Sequence, residues 1–136
     1  MGFYQSKIKA IGGSDYGEVY PQARFSFNLI KKKSKRKPYI KSRYFKQSKV
    51  FIDYFWQHLI QKTSKDRIRR LKFLPCAFDL IKNNPMPPIT KENPNNSKIL
   101  LHRFFGKDRE NKLFCVQILE NKKTDQKHFM SVFPYQ

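Results

Sequence analysis

The feature that most constrains the fold is the stretch from Ser97 to Pro134, where three apolar runs, LHRFFG, LFCVQILE and KHFMSVFP, are separated by two polar breaks. Runs of this length and character are strands, and charged breaks between them make an antiparallel meander. Side chains on a strand point alternately to its two faces, so Leu100, His102 and Phe104 oppose Ile99, Leu101, Arg103 and Phe105. In the second run Phe114, Val116 and Ile118 oppose Leu113, Cys115, Gln117 and Leu119; in the third Phe129, Ser131 and Phe133 oppose His128, Met130 and Val132. Both faces are largely apolar. One therefore covers a helical layer, the other is further core or the floor of a shallow site, and the polar interruptions are the informative positions.

Upstream the period changes. Val50, Phe51, Tyr54, Phe55, Leu59 and Ile60 form an i, i+3/i+4 stripe that predicts a helix, with Trp56 widening it. Thr63 followed by Asp66 has capping-box spacing and predicts a second helix, in which Ile68, Leu71, Phe78 and Ile81 recur on one side. Pro75 restarts or kinks it, because proline cannot donate to the preceding turn. Asn83-Asn84-Pro85 ends it, and Pro85, Pro87, Pro88 and Pro94 predict a linker that joins neither helix nor sheet. Gly12, Gly13 and Gly17 make residues 1–20 a turn or mobile arm, and Phe25-Ser26-Phe27 reads as a short strand. The expected fold is α+β, with N-terminal helices packed on a small curved antiparallel sheet that ends in the three-strand meander. The chain of 136 residues reads as one domain, divided into an arm, short strand and basic loop (1–48), a two-helix layer (49–84), a Pro-rich linker (85–96) and the meander (97–134).

Charge points to the partner. With 29 Lys and Arg against 10 Asp and Glu the formal charge is +19, whereas a small soluble domain usually carries a magnitude of about 2 to 8. Such self-repulsion is relieved beside a polyanion: nucleic acid first, then an anionic membrane surface or an acidic protein. Lys31, Lys32, Lys33, Lys35, Arg36, Lys37, Lys41, Arg43 and Lys46 follow one another without an acid, and Tyr39, Tyr44 and Phe45 are interleaved. Cations alternating with aromatic rings can hold phosphates while offering stacking surfaces, so this tract is the expected nucleic-acid contact. A disordered, solvated segment is the alternative. Cys76 and Cys115 lie in apolar runs without metal-knuckle spacing and read as core thiols in a reducing compartment. No run reaches the roughly 20 residues that span a bilayer and none resembles a signal peptide, so a cytoplasmic protein without a membrane partner is expected.

The three histidines, His58, His102 and His128, make no zinc motif, and the ten acids are scattered, without the paired carboxylates of a magnesium nuclease. No metal or other cofactor is expected. Metal-free phosphodiester chemistry needs a group titrating near neutrality and cations on the phosphoryl oxygens; RNA supplies its own 2′-OH as nucleophile. His102 beside Arg103 is one candidate pair, of which only one member can face a given cleft. Gln117 and Ser131 interrupt the other two strands and could share that cleft. His58, with Lys62 four residues on, is the other candidate proton shuttle, and Arg70 adds a further cation.

Helices followed by strands reading HRF, FCVQILE and FMSVFP resemble the C-terminal half of small toxin-type ribonucleases, the superfamily of barnase, EndoU, colicin and RelE-like proteins of phages and mobile elements. The resemblance spans Lys49 to Pro134. It implies a helical part on a curved antiparallel sheet and metal-independent cleavage by 2′-OH attack, leaving a cyclic phosphate. Its implied site residues fall on His58, on Arg103 with His102 as rival, and on Ser131 ahead of Phe133-Pro134. The superfamily's central-strand glutamate has no match; Gln117 stands nearer that place and Glu120 lies at the strand end. The expected activity is thus a metal-independent RNA endonuclease, with His58 and His102 as base and acid, Arg103, Arg70 and Lys62 as phosphoryl stabilisers, and Ser131 and Gln117 orienting the substrate. An acidic antitoxin or immunity protein is an expected partner. The rivals are a noncatalytic nucleic-acid-binding module and a basic virion- or ribosome-associated structural protein.

Overall fold

A computed structural model describes residues 2–135. The three runs of the meander form its central strands, β5 (Asn96–Lys107), β6 (Leu113–Asn121) and β7 (Lys127–Pro134), paired antiparallel in sequence order. Four shorter strands extend this centre: β1 (Tyr4–Gln5), β2 (Tyr39–Ser42), β3 (Ser48–Phe51) and β4 (Ile89–Asn93). The strand order is β1-β5-β6-β7-β3-β2, and β4 pairs with another part of β5. Helices α1 (Tyr16–Lys33), α2 (Tyr54–Leu59), α3 (Ser64–Leu71) and α4 (Leu74–Asn83) are interspersed among the strands.

The expected helix layer plus three-strand meander is thereby corrected to a seven-stranded, curled half-barrel sheet with helices threaded between its strands. Three local signals account for the difference. The Phe25-Ser26-Phe27 alternation lies inside α1, where Val19, Ala23 and Phe27 bury a stripe four residues apart and Phe25 is 65% exposed. Asp15 starts that helix by accepting from the Glu18 N–H at 2.9 Å, and Lys31, Lys32 and Lys33 close it against the negative end of its dipole. Val50 and Phe51 belong to β3, which pairs in parallel with β7 at Lys127 and His128, so the helix predicted from Val50 begins only at Tyr54. The predicted linker contains β4. Its prolines precede the strand or, as Pro94, sit in the turn that follows, where no ladder N–H is required.

The expected two-helix layer over 49–84 contains three helices, α2, α3 and α4, because the second predicted helix is broken between Leu71 and Leu74. The Thr63 hydroxyl accepts from the Asp66 N–H at 3.3 Å, starting α3, and Pro75 stands in the first turn of α4, where its missing N–H costs nothing. One sheet face, carrying Phe104, Phe114, Val116, Ile118, Phe129 and Val132, closes a core with Leu71, Leu74, Phe78, Leu80 and Ile81 from the helices. Phe129 stacks on Phe55 at 5.1 Å, and Gly106 lets β5 approach α4, because a Cβ there would stand 2.7 Å from Phe114 and 3.0 Å from Leu80. At the β5–β6 turn the buried Asp108 carboxylate accepts from the N–H groups of Ala10, Glu110 and Lys112 at 2.8–3.0 Å. Burial pushes its pKa up, but those backbone donors outweigh burial and hold it below the usual value. Cys76 and Cys115 are buried free thiols, both pushed up to about 12 first of all by burial. Among the described residues no helix is long and apolar enough to cross a membrane.

Candidate active site

A polar row crosses the sheet on the face turned away from the core. Arg103 of β5 stands opposite Gln117 of β6, which stands opposite Ser131 of β7. The row depends on a bulge. Strict alternation groups Phe129 with Ser131 and Phe133, but the β6–β7 register shifts after Gln117, so that Ile118 pairs with Phe129 and Met130 becomes the extra residue. Phe129 thus stays in the core, while Ser131 and Phe133 join the outer face.

Two helices bring the remaining groups. The α3 guanidinium of Arg70 is held by Asp66 Oδ2 at 3.1 Å, donates to the Ser131 hydroxyl, and lies 5.3 Å from the centre of the Phe133 ring. Arg103, exposed, reaches the same ring at 5.7 Å. His58, from α2, and Lys62, from the turn before α3, complete an open hollow of about 320 Å³ lined by His58, Lys62, Arg70, Arg103, Gln117 and Ser131, with Phe133 between the two guanidiniums. Three of these side chains are cations, and Asp66 partly offsets only Arg70. Burial, then the charges of Lys62 and Arg70, lower the His58 pKa below its ordinary value. Its imidazole is therefore neutral at neutral pH and able to take a proton. Ser131, 3% exposed, accepts from Arg70, which leaves its own O–H free to donate into the hollow.

His102 does not belong to this group. Its neighbour Arg103 faces the hollow, so His102 must face the core side, where it is 6% exposed. Its Nδ1 is 2.7 Å from Thr90 Oγ1, its Nε2 is 2.7 Å from Glu120 Oε1, and its ring packs against Phe45 at 5.1 Å. Lys127, its side chain 6% exposed, approaches the same carboxylate at 3.6 Å. The structure does not bring His102, expected as acid or base, to the hollow: both of its ring nitrogens are engaged in a buried polar cluster. His128, the second residue of β7, lies between Phe51 and Tyr54, with its pKa lowered first by burial and then by Lys37.

The basic tract is ordered, not a single loop. Lys31, Lys32 and Lys33 end α1; Lys35, Arg36 and Lys37 connect it to β2; Tyr39 and Lys41 lie on β2; and Arg43, Tyr44 and Lys46 form the β2–β3 turn. Lys46 and Gln47 close that turn in the left-handed region, at φ 54° and 70°. Tyr44 packs on Phe45 and Phe104, so its ring serves the core instead of offering a free stacking surface. The Tyr39 ring is covered by the Lys49 ammonium at 4.6 Å. Among the described residues no cation of this tract makes an ion pair, and none of them lines the hollow. Two contributors were missed in the sequence. Asp66 was readable from its i, i+4 spacing to Arg70; Phe133 as the shared ring of two guanidiniums was not. Among the described residues no group of three or more His, Cys, Asp and Glu side chains is gathered for a metal ion.

No family model, curated protein or solved structure matches this chain.

Proposed function

We propose that the chain is a metal-independent RNA endonuclease of the small toxin type, with His58 as its general base. The reading rests on one observation: six polar residues from two helical segments and three strands share a single cationic hollow that contains one imidazole. In the proposed reaction His58 takes the proton of a ribose 2′-OH as its oxygen bonds to phosphorus. The bond to the 5′-oxygen breaks, that oxygen takes a proton from water, and the hydroxide so formed is neutralised by the proton His58 has gained. Arg70, Arg103 and Lys62 stabilise the charge on the phosphoryl oxygens, Ser131 holds Arg70 and donates its O–H, and Gln117 orients the ribose or base. The products are a 2′,3′-cyclic phosphate and a 5′-hydroxyl. An acidic antitoxin or immunity protein fits a chain of this charge.

Because His102 is engaged elsewhere, His58 is the one histidine of the hollow, and this favours noncatalytic RNA binding as the second reading. Incubation of the full chain with RNA in EDTA, scored for product termini, separates the two. The enzyme reading expects cyclic-phosphate ends, and His58→Ala lowers the rate about 10²- to 10⁴-fold while RNA binding survives. Absence of cleavage, or His58→Ala cleaving like the parent, overturns it in favour of binding alone.

A further inference from the structure

A second hollow, of about 240 Å³, adjoins the first and shares Arg103 and Gln117 with it. Its remaining walls differ in character. Leu101 and Phe105 lie on the same face of β5 as Arg103, Ile89 pairs with Arg103 from β4, and Tyr135 meets the Phe105 ring edge-on at 5.0 Å. Lys91 supplies the one further cation. Ile89 and Tyr135 are 43% and 37% exposed, so apolar surface remains open to solvent directly beside the first, cationic hollow. A nucleotide has the matching build, an apolar π-face attached to an anion, and base stacking on aromatic walls stabilises single-stranded RNA complexes. Gln117 carries both a donor and an acceptor amide, able to meet a base edge.

We propose that this second hollow is a nucleobase subsite: it takes one base of single-stranded RNA against Tyr135 and Ile89, over the buried Phe105, while the adjoining phosphate lies at Arg103. The assignment rests on the reading of the first hollow as a phosphodiester cleft. Binding is measured by anisotropy with the full chain carrying His58→Ala, using a labelled nine-nucleotide oligouridylate and an abasic ribose-phosphate chain of the same length and charge. The oligouridylate binds about 5- to 100-fold more tightly. Adding Ile89→Ser and Tyr135→Ser, both solvent-facing, removes most of that preference and leaves the abasic affinity unchanged, with folding checked by circular dichroism. Equal affinity for the two chains, or a preference that survives both substitutions, overturns the subsite. Base preference without cleavage by the parent sinks the enzymatic reading and keeps the subsite. Cleavage without base preference does the reverse, and failure to bind either chain sinks both.

Discussion

Glu120→Ala tests whether the cluster under the sheet is structural. The substitution removes the carboxylate that faces His102 Nε2 at 2.7 Å and Lys127 Nζ at 3.6 Å. Lys127 then keeps Asp125 at 3.2 Å, but that side chain is 82% exposed and water screens the pair. Removing one member of a buried ion pair strands the other and costs roughly 3–5 kcal/mol; the surviving Asp125 contact puts this case near the lower end, about 3 kcal/mol. Unfolding entropy of about 2.1 cal/mol/K per residue, for a chain of 136 residues, converts that loss into a fall in Tm of about 10 °C. Adding Lys127→Met to Glu120→Ala removes the stranded charge and recovers about 2 kcal/mol. Urea and thermal melts of the parent, both single variants and the double variant complete the cycle. A loss below about 1 kcal/mol for Glu120→Ala, or a double variant no more stable than Glu120→Ala, refutes the reasoning. Folded Glu120→Ala should cleave RNA like the parent, because the cluster and the hollow occupy opposite faces.

Further outcomes follow from the same geometry. Since His58 is held below 6.5 by burial, Lys62 and Arg70, the acid limb of the cleavage profile lies below pH 6.5, and Lys62→Met moves it, with the His58 ring titration seen by NMR, to higher pH. A limb that stays put removes Lys62 from the site. The depressed value also means that the unfolded chain binds more protons just below pH 6.5, so the His58 contribution to stability is lost as pH falls through that window. Arg103→Ala lowers the salt dependence of RNA binding by about 0.7 in log–log slope, with Tm unchanged because the side chain is exposed. Gly106→Ala costs about 1–3 kcal/mol in a urea melt, since its Cβ meets Phe114 at 2.7 Å in a packed core.

Much of the candidate site was legible because spacing alone sets which side chains share a face. Period two separated His102 from Arg103, and polar residues in otherwise apolar strands marked Gln117 and Ser131. Thr63 and Asp66 announced α3, which carries Arg70. Short apolar stretches were less readable: Val50 and Phe51 suit a helix stripe or a strand equally well, and pairing with β2 and β7 selects the strand. The Phe25-Ser26-Phe27 alternation misled because Phe25 is solvent-facing and contributes nothing to the core.

Local chemistry by itself determined the meander, the Thr63 start of α3, the separation of His102 from Arg103 onto opposite faces, and the excess of positive charge. These depend on dihedral preferences, side-chain alternation and formal charge, all properties of neighbours along the chain. Which face became the hollow, and so which of His102 and Arg103 could serve it, was decided by tertiary structure. The bulge at Met130 set Ser131 beside Gln117, and α3 docking against β7 brought Arg70 to Ser131. Register across turns and the burial of one sheet face are settled by packing between distant segments, which no local pattern encodes.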